Sequence, residues 1–218
     1  MRANSPKHLR QRGGKTWDTT GVLLDEALAT GPVDLEAVFG NTHPVEVEIG
    51  TGKGTFLLAR SQARKDLNFL GIEYAGAYCR YAADRFRRHG LPNVRMLHAD
   101  AGHVFRVCLA PRSLLRVHVY FPDPWPKRRH RRRRLIQPAF ITDVRRALRI
   151  GGQLIIVSDH MDYFRQIRRV LAAAPPGLAT LPMPKMTDAD GQLVGTNFER
   201  KYIAEGRVFY ATARLRYR

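Results

Sequence analysis

The chain has 218 residues, with 37 Lys and Arg against 19 Asp and Glu and a formal charge of +18 at neutral pH. That length is enough for one sizeable core with a small appendage, and so large a positive excess repels itself unless a polyanion offsets it, which points to nucleic acid first and to an anionic membrane surface second. No apolar run approaches the length of a bilayer span, and the charged start "MRANSPKHLRQRGGK" has no apolar segment behind it, so neither a transmembrane helix nor a signal peptide is expected.

The first seventeen residues hold Arg2, Lys7, Arg10, Arg12 and Lys15 without an acid, which reads as a basic arm. Short helix-like stretches follow, so residues 1–40 are taken as arm and short helices and residues 41–218 as the main domain. From Pro44 onward, β-rich runs alternate with amphipathic ones. "VEVEI" precedes "GTFLLARSQAR", "LNFLGIE" precedes "GAYCRYAADRFRRHG", and "NVRMLHAD" and "LLRVHVYF" read as strands. "LIQPAFITDVRRALRI" reads as a helix, "GGQLIIVSD" as a strand and "HMDYFRQIRRVLAAAPP" as a helix, while the closing "RVFYATARLRYR" suits an antiparallel edge strand. Strand and helix in alternation imply right-handed crossovers and an α/β fold with a largely parallel sheet. Cys79 and Cys108 fit no disulfide framework and read as reduced thiols of a cytoplasmic protein. The eight histidines lack metal-ligand spacing, so no metal is expected.

Directly after the first strand, "EIGTGKG" places Gly50, Gly52 and Gly54 in a turn that opens onto a helix. Missing side chains let a backbone approach a ligand closely. A tight turn alone would also explain them. A dinucleotide fingerprint would need glycine at position 55, where Thr55 stands. Glu48, Glu73 and Asp100 close the first three strands, and parallel strands deliver their C-terminal ends to one edge of a sheet, so these carboxylates are expected to converge on the loop. Such a site suits a cationic ligand better than a pyrophosphate. S-adenosylmethionine, with its sulfonium and ammonium, fits: Glu73 for the ribose hydroxyls, Asp100 for the adenine amine and Glu48 for the methionine end.

The segment "FPDPWPKRRHRRRR" sets one acid, Asp123, among prolines and then puts seven Lys and Arg into residues 127–134. Proline fixes φ, so the carboxylate is presented on a stiff loop. Trp125 either stacks on a base or fills space beneath the loop. The arginines from 131 to 134 read as a block facing phosphates, with Lys15, Arg12 and Arg10 as a second contact.

"VEVEIGTGKGTFLLAR", "FLGIEY", "HADA", "VYFPDPWPKRRHRRRR", "VSDH" and "TNFERKY", in this order, resemble the bacterial tRNA (guanine-N7)-methyltransferases from about Val45 to the C-terminus. The resemblance implies a Rossmann-like class I methyltransferase with a mostly parallel seven-stranded sheet and helices on both faces. It further implies S-adenosylmethionine as cofactor, tRNA as partner, the variable loop as target and no obligatory protein partner. Glu48, Glu73, Asp100 and Asp123 would border the cofactor, with Asp123 also catalytic, while Lys127, Asp159, Thr196, Asn197, Phe198 and Glu199 would touch the RNA. Many relatives carry a bulkier residue where this chain has Thr51 and an arginine where it has Lys201. Two other readings stay open: an RNA-binding module of this fold without transfer, and a small-molecule methyltransferase or nicotinamide dehydrogenase, which the charge and the glycine spacing respectively disfavour.

Overall fold

A computed structural model describes residues 17–182, 196–206 and 208–218. The basic arm expected before residue 17 lies outside the described residues. The chain divides into two compact units, Met1–Cys108 and Leu109–Arg218.

The first unit runs through a 3-10 turn at Glu26–Thr30, α1 (Leu35–Phe39), β1 (Val45–Ile49), α2 (Thr55–Ala63), β2 (Asn68–Glu73), α3 (Gly76–Arg88), β3 (Val94–His98) and α4 (Ala101–His103), which continues into a π-helical turn at Val104–Cys108. β2 lies between β1 and β3, parallel to both, with Val47 opposite Leu70 and Gly71 opposite Met96. Every residue of β1 and β2 is buried, as expected for strands covered on both faces. The alternation in "VEVEI" therefore does not mark a solvated face. α3 turns Cys79, Ala82, Ala83 and Phe86 inward, the spacing of one helical stripe. Ahead of β1, the amide of Leu24 donates to the Met96 carbonyl and that of Met96 to the Val22 carbonyl, both at 2.8 Å, adding a bridge beside β3.

The second unit holds β4 (Leu114–Tyr120), a 3-10 helix at Arg128–Arg133, α5 (Pro138–Ala147), β5 (Leu148–Ser158), α6 (Met161–Ala172), β6 (Leu178–Leu181), α7 (Asn197–Ala204) and β7 (Tyr210–Arg216). β4 and β5 are parallel, β7 runs antiparallel to β5, and β6 runs antiparallel to β7. The closing strand is therefore not an edge: Ala213 pairs with Ile155 on one side and Leu181 on the other. The strand that covers it, "LATL", is only four residues long and follows "AAAPPG", too short to show an alternation. α5 opens on Pro138, which suits a first helical position, and buries Phe140, Ile141, Val144 and Ala147.

Gly54 joins the loop after β1 to α2 at φ 73°, and a methyl group there would lie 2.5 Å from the Phe86 ring and 3.2 Å from Ala82 of α3. At Gly50, φ 75°, a methyl would meet nothing. Gly50→Ala is expected to cost only the left-handed conformation, roughly 1–2 kcal/mol. Gly54→Ala adds overpacking of about 1–3 kcal/mol. Denaturant unfolding of the two variants checks the order, and equal losses would contradict it.

Candidate active site

In the first unit the glycine loop is fixed from several directions. Gly50, Gly52 and Gly54 all have positive φ, which explains why three alternate positions are glycine. The Gly50 amide donates to the Ile72 carbonyl at 2.8 Å and that of Gly54 to Thr51 at 2.9 Å. The amide of Gly52 donates to Glu73 Oε2 at 2.9 Å, and the other oxygen of Glu73 accepts from Ala75 at 2.8 Å. From α3, Arg85 donates to the Lys53 carbonyl at 3.0 Å and to Thr55 Oγ1 at 3.2 Å.

β1 sends Glu46 and Glu48 to one face, and both are buried. Arg60 of α2 grips Glu46 with two hydrogen bonds, Nε to Oε2 at 2.6 Å and Nη2 to Oε1 at 2.8 Å. Glu48, 3 % exposed, has no such partner: its Oε2 and the neighbouring Thr51 Oγ1 are buried without a hydrogen bond among the described residues. Burial, with the Glu73 carboxylate adding to it, pushes the Glu48 carboxyl well above its ordinary range. Asp100 stands two residues past β3, exposed, with one oxygen accepting from the His103 amide at 2.8 Å to cap α4.

Two orphaned buried oxygens beside a second carboxylate make a poor cradle for an anion, and one loop amide is already held by Glu73. They fit S-adenosylmethionine, which brings a cation and donor groups to them.

In the second unit, Asp123 is exposed on the loop after β4. Its neighbours Phe121, φ 52°, and Trp125, φ 39°, both occupy a region that bulky residues rarely adopt. Trp125 is half-buried against the basic segment, with the Arg133 guanidinium 5.0 Å above its ring and His130 edge-on at 5.8 Å. Desolvation, then Arg133 and the other cations around it, hold His130 below its ordinary value. Lys127, Arg128 and Arg129 line an open hollow of roughly 800 Å³.

The basic run is not one block. Arg128, Arg129, Arg132 and Arg133 are exposed, whereas Arg134 is 2 % exposed and turned inward. Arg131 is exposed but shares Asp162 with Arg134, at 3.2 and 2.8 Å. The reading of all four arginines from 131 to 134 as phosphate contacts is thus corrected at Arg134, whose donors are engaged inside the protein.

Asp159 follows β5, half-buried, just before the α6 cap, where the His160 amide donates to Ser158 Oγ at 3.2 Å. Thr196 caps α7 by accepting the Glu199 amide at 3.0 Å, and both residues are buried; Asn197 and Phe198 form the first turn of that helix. This T-x-x-E spacing is a capping signature that was legible in the sequence and was missed. Glu46 with Arg60, Arg85 and Arg134 were missed as well, because nothing in a sequence says which arginine turns inward. Charge is distributed unequally: the second unit carries 22 Lys and Arg against 8 acids, the first 15 against 11.

The parallel strands, the glycine loop and the acid that ends β2 are the arrangement of a Rossmann-like fold that binds a nucleoside cofactor, and similarity to known proteins places it among the class I methyltransferases. A solved antibiotic-resistance methyltransferase, Kmr, has the same fold, with a TM-score of 0.56 at 20% identity over 89% of this chain and 94% of that one. A family model described as "Putative methyltransferase" matches residues 42–212. A tRNA (guanine-N(7)-)-methyltransferase of Rhodopirellula baltica is 39% identical over 190 residues, 82% of this chain and 70% of that protein. One of Nitrosococcus oceani is 41% identical over 145 residues, 66% of this chain and 61% of that protein. The chain belongs to the tRNA (guanine-N7)-methyltransferase family.

The raised Glu48 carboxyl gives the ligand-free protein a pH dependence of definite sign. A carboxyl whose folded value lies above its unfolded value favours folding while protonated, so its contribution is full below the ordinary value and is lost as pH rises through the raised one. Glu48→Gln should flatten that fall and raise the neutral-pH Tm, by about 2–4 °C for each kcal/mol relieved. Thermal melts across pH test this; an unchanged profile would mean that Glu48 is not the titrating group.

Proposed function

We propose that this protein transfers a methyl group from S-adenosylmethionine to N7 of a guanine in the variable loop of tRNA, in the cytoplasm and without an obligatory protein partner. The observation that carries the donor is the orphaned Glu48 oxygen beside the glycine loop. The substrate rests on the named relatives and on the 22-to-8 excess of cations in the second unit. Among the described residues no helix is long and apolar enough to cross a membrane.

In this reading Glu48 faces the methionine ammonium, Glu73 the ribose hydroxyls and Asp100 the adenine amine, while Gly50, Gly52 and Gly54 let the backbone come close. Asp123 borders the cofactor as well. Bound there, S-adenosylmethionine supplies an electrophilic methyl on sulfur. Guanine N7 has an in-plane lone pair and no proton, so the attacked atom needs no general base. Asp123 instead stabilises the positive charge that develops on the purine and accepts hydrogen bonds from its Watson–Crick edge. Its stiff loop means that little orientational freedom is left to lose, which is how positioning lowers a barrier. Lys127 meets phosphate, and Asp159 with Asn197 and Phe198 contacts the RNA. Thr196 and Glu199, both buried, set the start of α7 at that contact.

Incubation with labelled donor and unmodified tRNA should yield 7-methylguanosine on nucleoside analysis, and tRNA lacking the variable-loop guanine should yield none. Donor binding without transfer to any tRNA would overturn the reading in favour of an RNA-binding module. Asp123→Asn should lower kcat by roughly 10²–10³ while changing donor affinity much less, and equal losses would make Asp123 mainly a cofactor ligand. Replacing Arg128, Arg129 and Arg132 by alanine should weaken tRNA binding and flatten its logarithmic salt slope by about 0.7–0.9 for each phosphate no longer neutralised.

A further inference from the structure

Arg134 ends the densest run of positive charge in the chain, yet it is 2 % exposed. Its guanidinium donates from Nε to the Pro124 carbonyl at 2.7 Å, from Nη1 to Gln166 Oε1 at 2.7 Å and from Nη2 to Asp162 Oδ2 at 2.8 Å. Its plane lies over the Tyr163 ring, 4.8 Å from the centroid. Asp162, Tyr163 and Gln166 all belong to α6, so one turn of that helix forms a receptor for one side chain. The receptor is itself tied down: Tyr163 Oη accepts from the Ile136 amide at 3.0 Å and Gln166 donates to the Ile136 carbonyl at 3.3 Å. The remaining tie goes to Pro124, the residue after Asp123, where the backbone passes into the positive φ of Trp125.

We propose that Arg134 is a positioning residue that acts through the Pro124 carbonyl, pinning the strained loop to α6 so that the Asp123 carboxylate has one fixed place. This rests on the role given to Asp123 above. It removes Arg134 from the RNA-facing set and makes the basic run a composite, with an outer part that meets phosphate and an inner end that stabilises the loop. The chemistry explains the residue type. Three acceptors in three directions and an aromatic face need a planar fork; an ammonium keeps the charge but cannot reproduce the geometry.

The test compares Arg134→Lys with Arg132→Ala, in full-length protein and alone or combined with Asp123→Asn. For Arg134→Lys, kcat at saturating tRNA and donor should fall roughly 10²-fold, with tRNA affinity and its salt slope within twofold of the parent. In the Asp123→Asn background the same change should cost almost nothing more. A kcat kept by lysine, or a flattened salt slope, would overturn the proposal and return Arg134 to the phosphate contacts; additive losses would reduce it to a general stabiliser. The chain has two tryptophans, so a Trp17→Phe background leaves Trp125 as its single tryptophan, read by selective tryptophan excitation. There Arg134→Lys should increase acrylamide quenching of Trp125 and Arg132→Ala should not, and an unchanged quenching would sink the pinning role whatever the activity. If Arg134→Lys does not fold, Gln166→Leu removes one of its three acceptors, together with the Gln166 donor to the Ile136 carbonyl, and should lower kcat several-fold at an unchanged salt slope, with an undiminished kcat counting against the proposal. A parent that forms no 7-methylguanosine would instead defeat the functional reading, leaving the quenching to decide the pinning.

Discussion

Two carboxyl groups leave the same face of a strand that is buried on both sides, and among the described residues only one of them meets a guanidinium. Burying a carboxyl is costly unless it is paired or takes up a proton. Arg60 resolves the problem for Glu46 with a two-pronged contact, and among the described residues nothing equivalent reaches the unpaired Glu48 oxygen. The neighbouring elements keep that difference in place. Glu73 is held by the Gly52 and Ala75 amides, the loop between them is pinned by Arg85, and Gly71 leaves room where any side chain would collide with Met96 and Thr51. The packing of the first unit thus holds the Glu48 oxygen, together with Thr51 Oγ1, at a fixed place by the glycine loop, without a hydrogen bond among the described residues.

Arginine serves as an internal fastener throughout the chain. Arg85 holds a loop carbonyl, Arg134 another, and Arg216 donates to the carbonyls of Arg146 and Leu148. A guanidinium suits this work because it stays charged and offers several donors in a plane. A count of cations therefore overstates the surface available to RNA. The loops that carry Gly52 and Asp123 each have one backbone carbonyl held by an arginine, Lys53 by Arg85 and Pro124 by Arg134.

Most of the framework was legible because strand and helix periods differ and because β2, β4 and β5 are strongly apolar. Of the three acids read as strand ends, Glu73 closes β2, Glu48 stands one residue before the end of β1 and Asp100 lies two residues past β3. What escaped reading has physical reasons. "VEVEI" carries the alternation of a half-solvated strand, and only the tertiary fold shows its glutamates buried. β6 has four residues and no pattern to detect. Phe121 and Trp125 take positive φ without being glycine, so no residue type announces the strain around Asp123. Four consecutive arginines look equivalent in one dimension, although the last faces the interior.

The unpaired Glu48 oxygen also bears on how much of this protein a cell retains. A ligand that binds only the folded state adds to its stability by mass action, about 2.7 kcal/mol when present at a hundred times its Kd. In the binding mode proposed above, a donor that neutralises this buried carboxyl would also stabilise the folded chain. In that binding mode, chains without donor would open more often and be more open to proteolysis, coupling the amount of protein to the supply of donor.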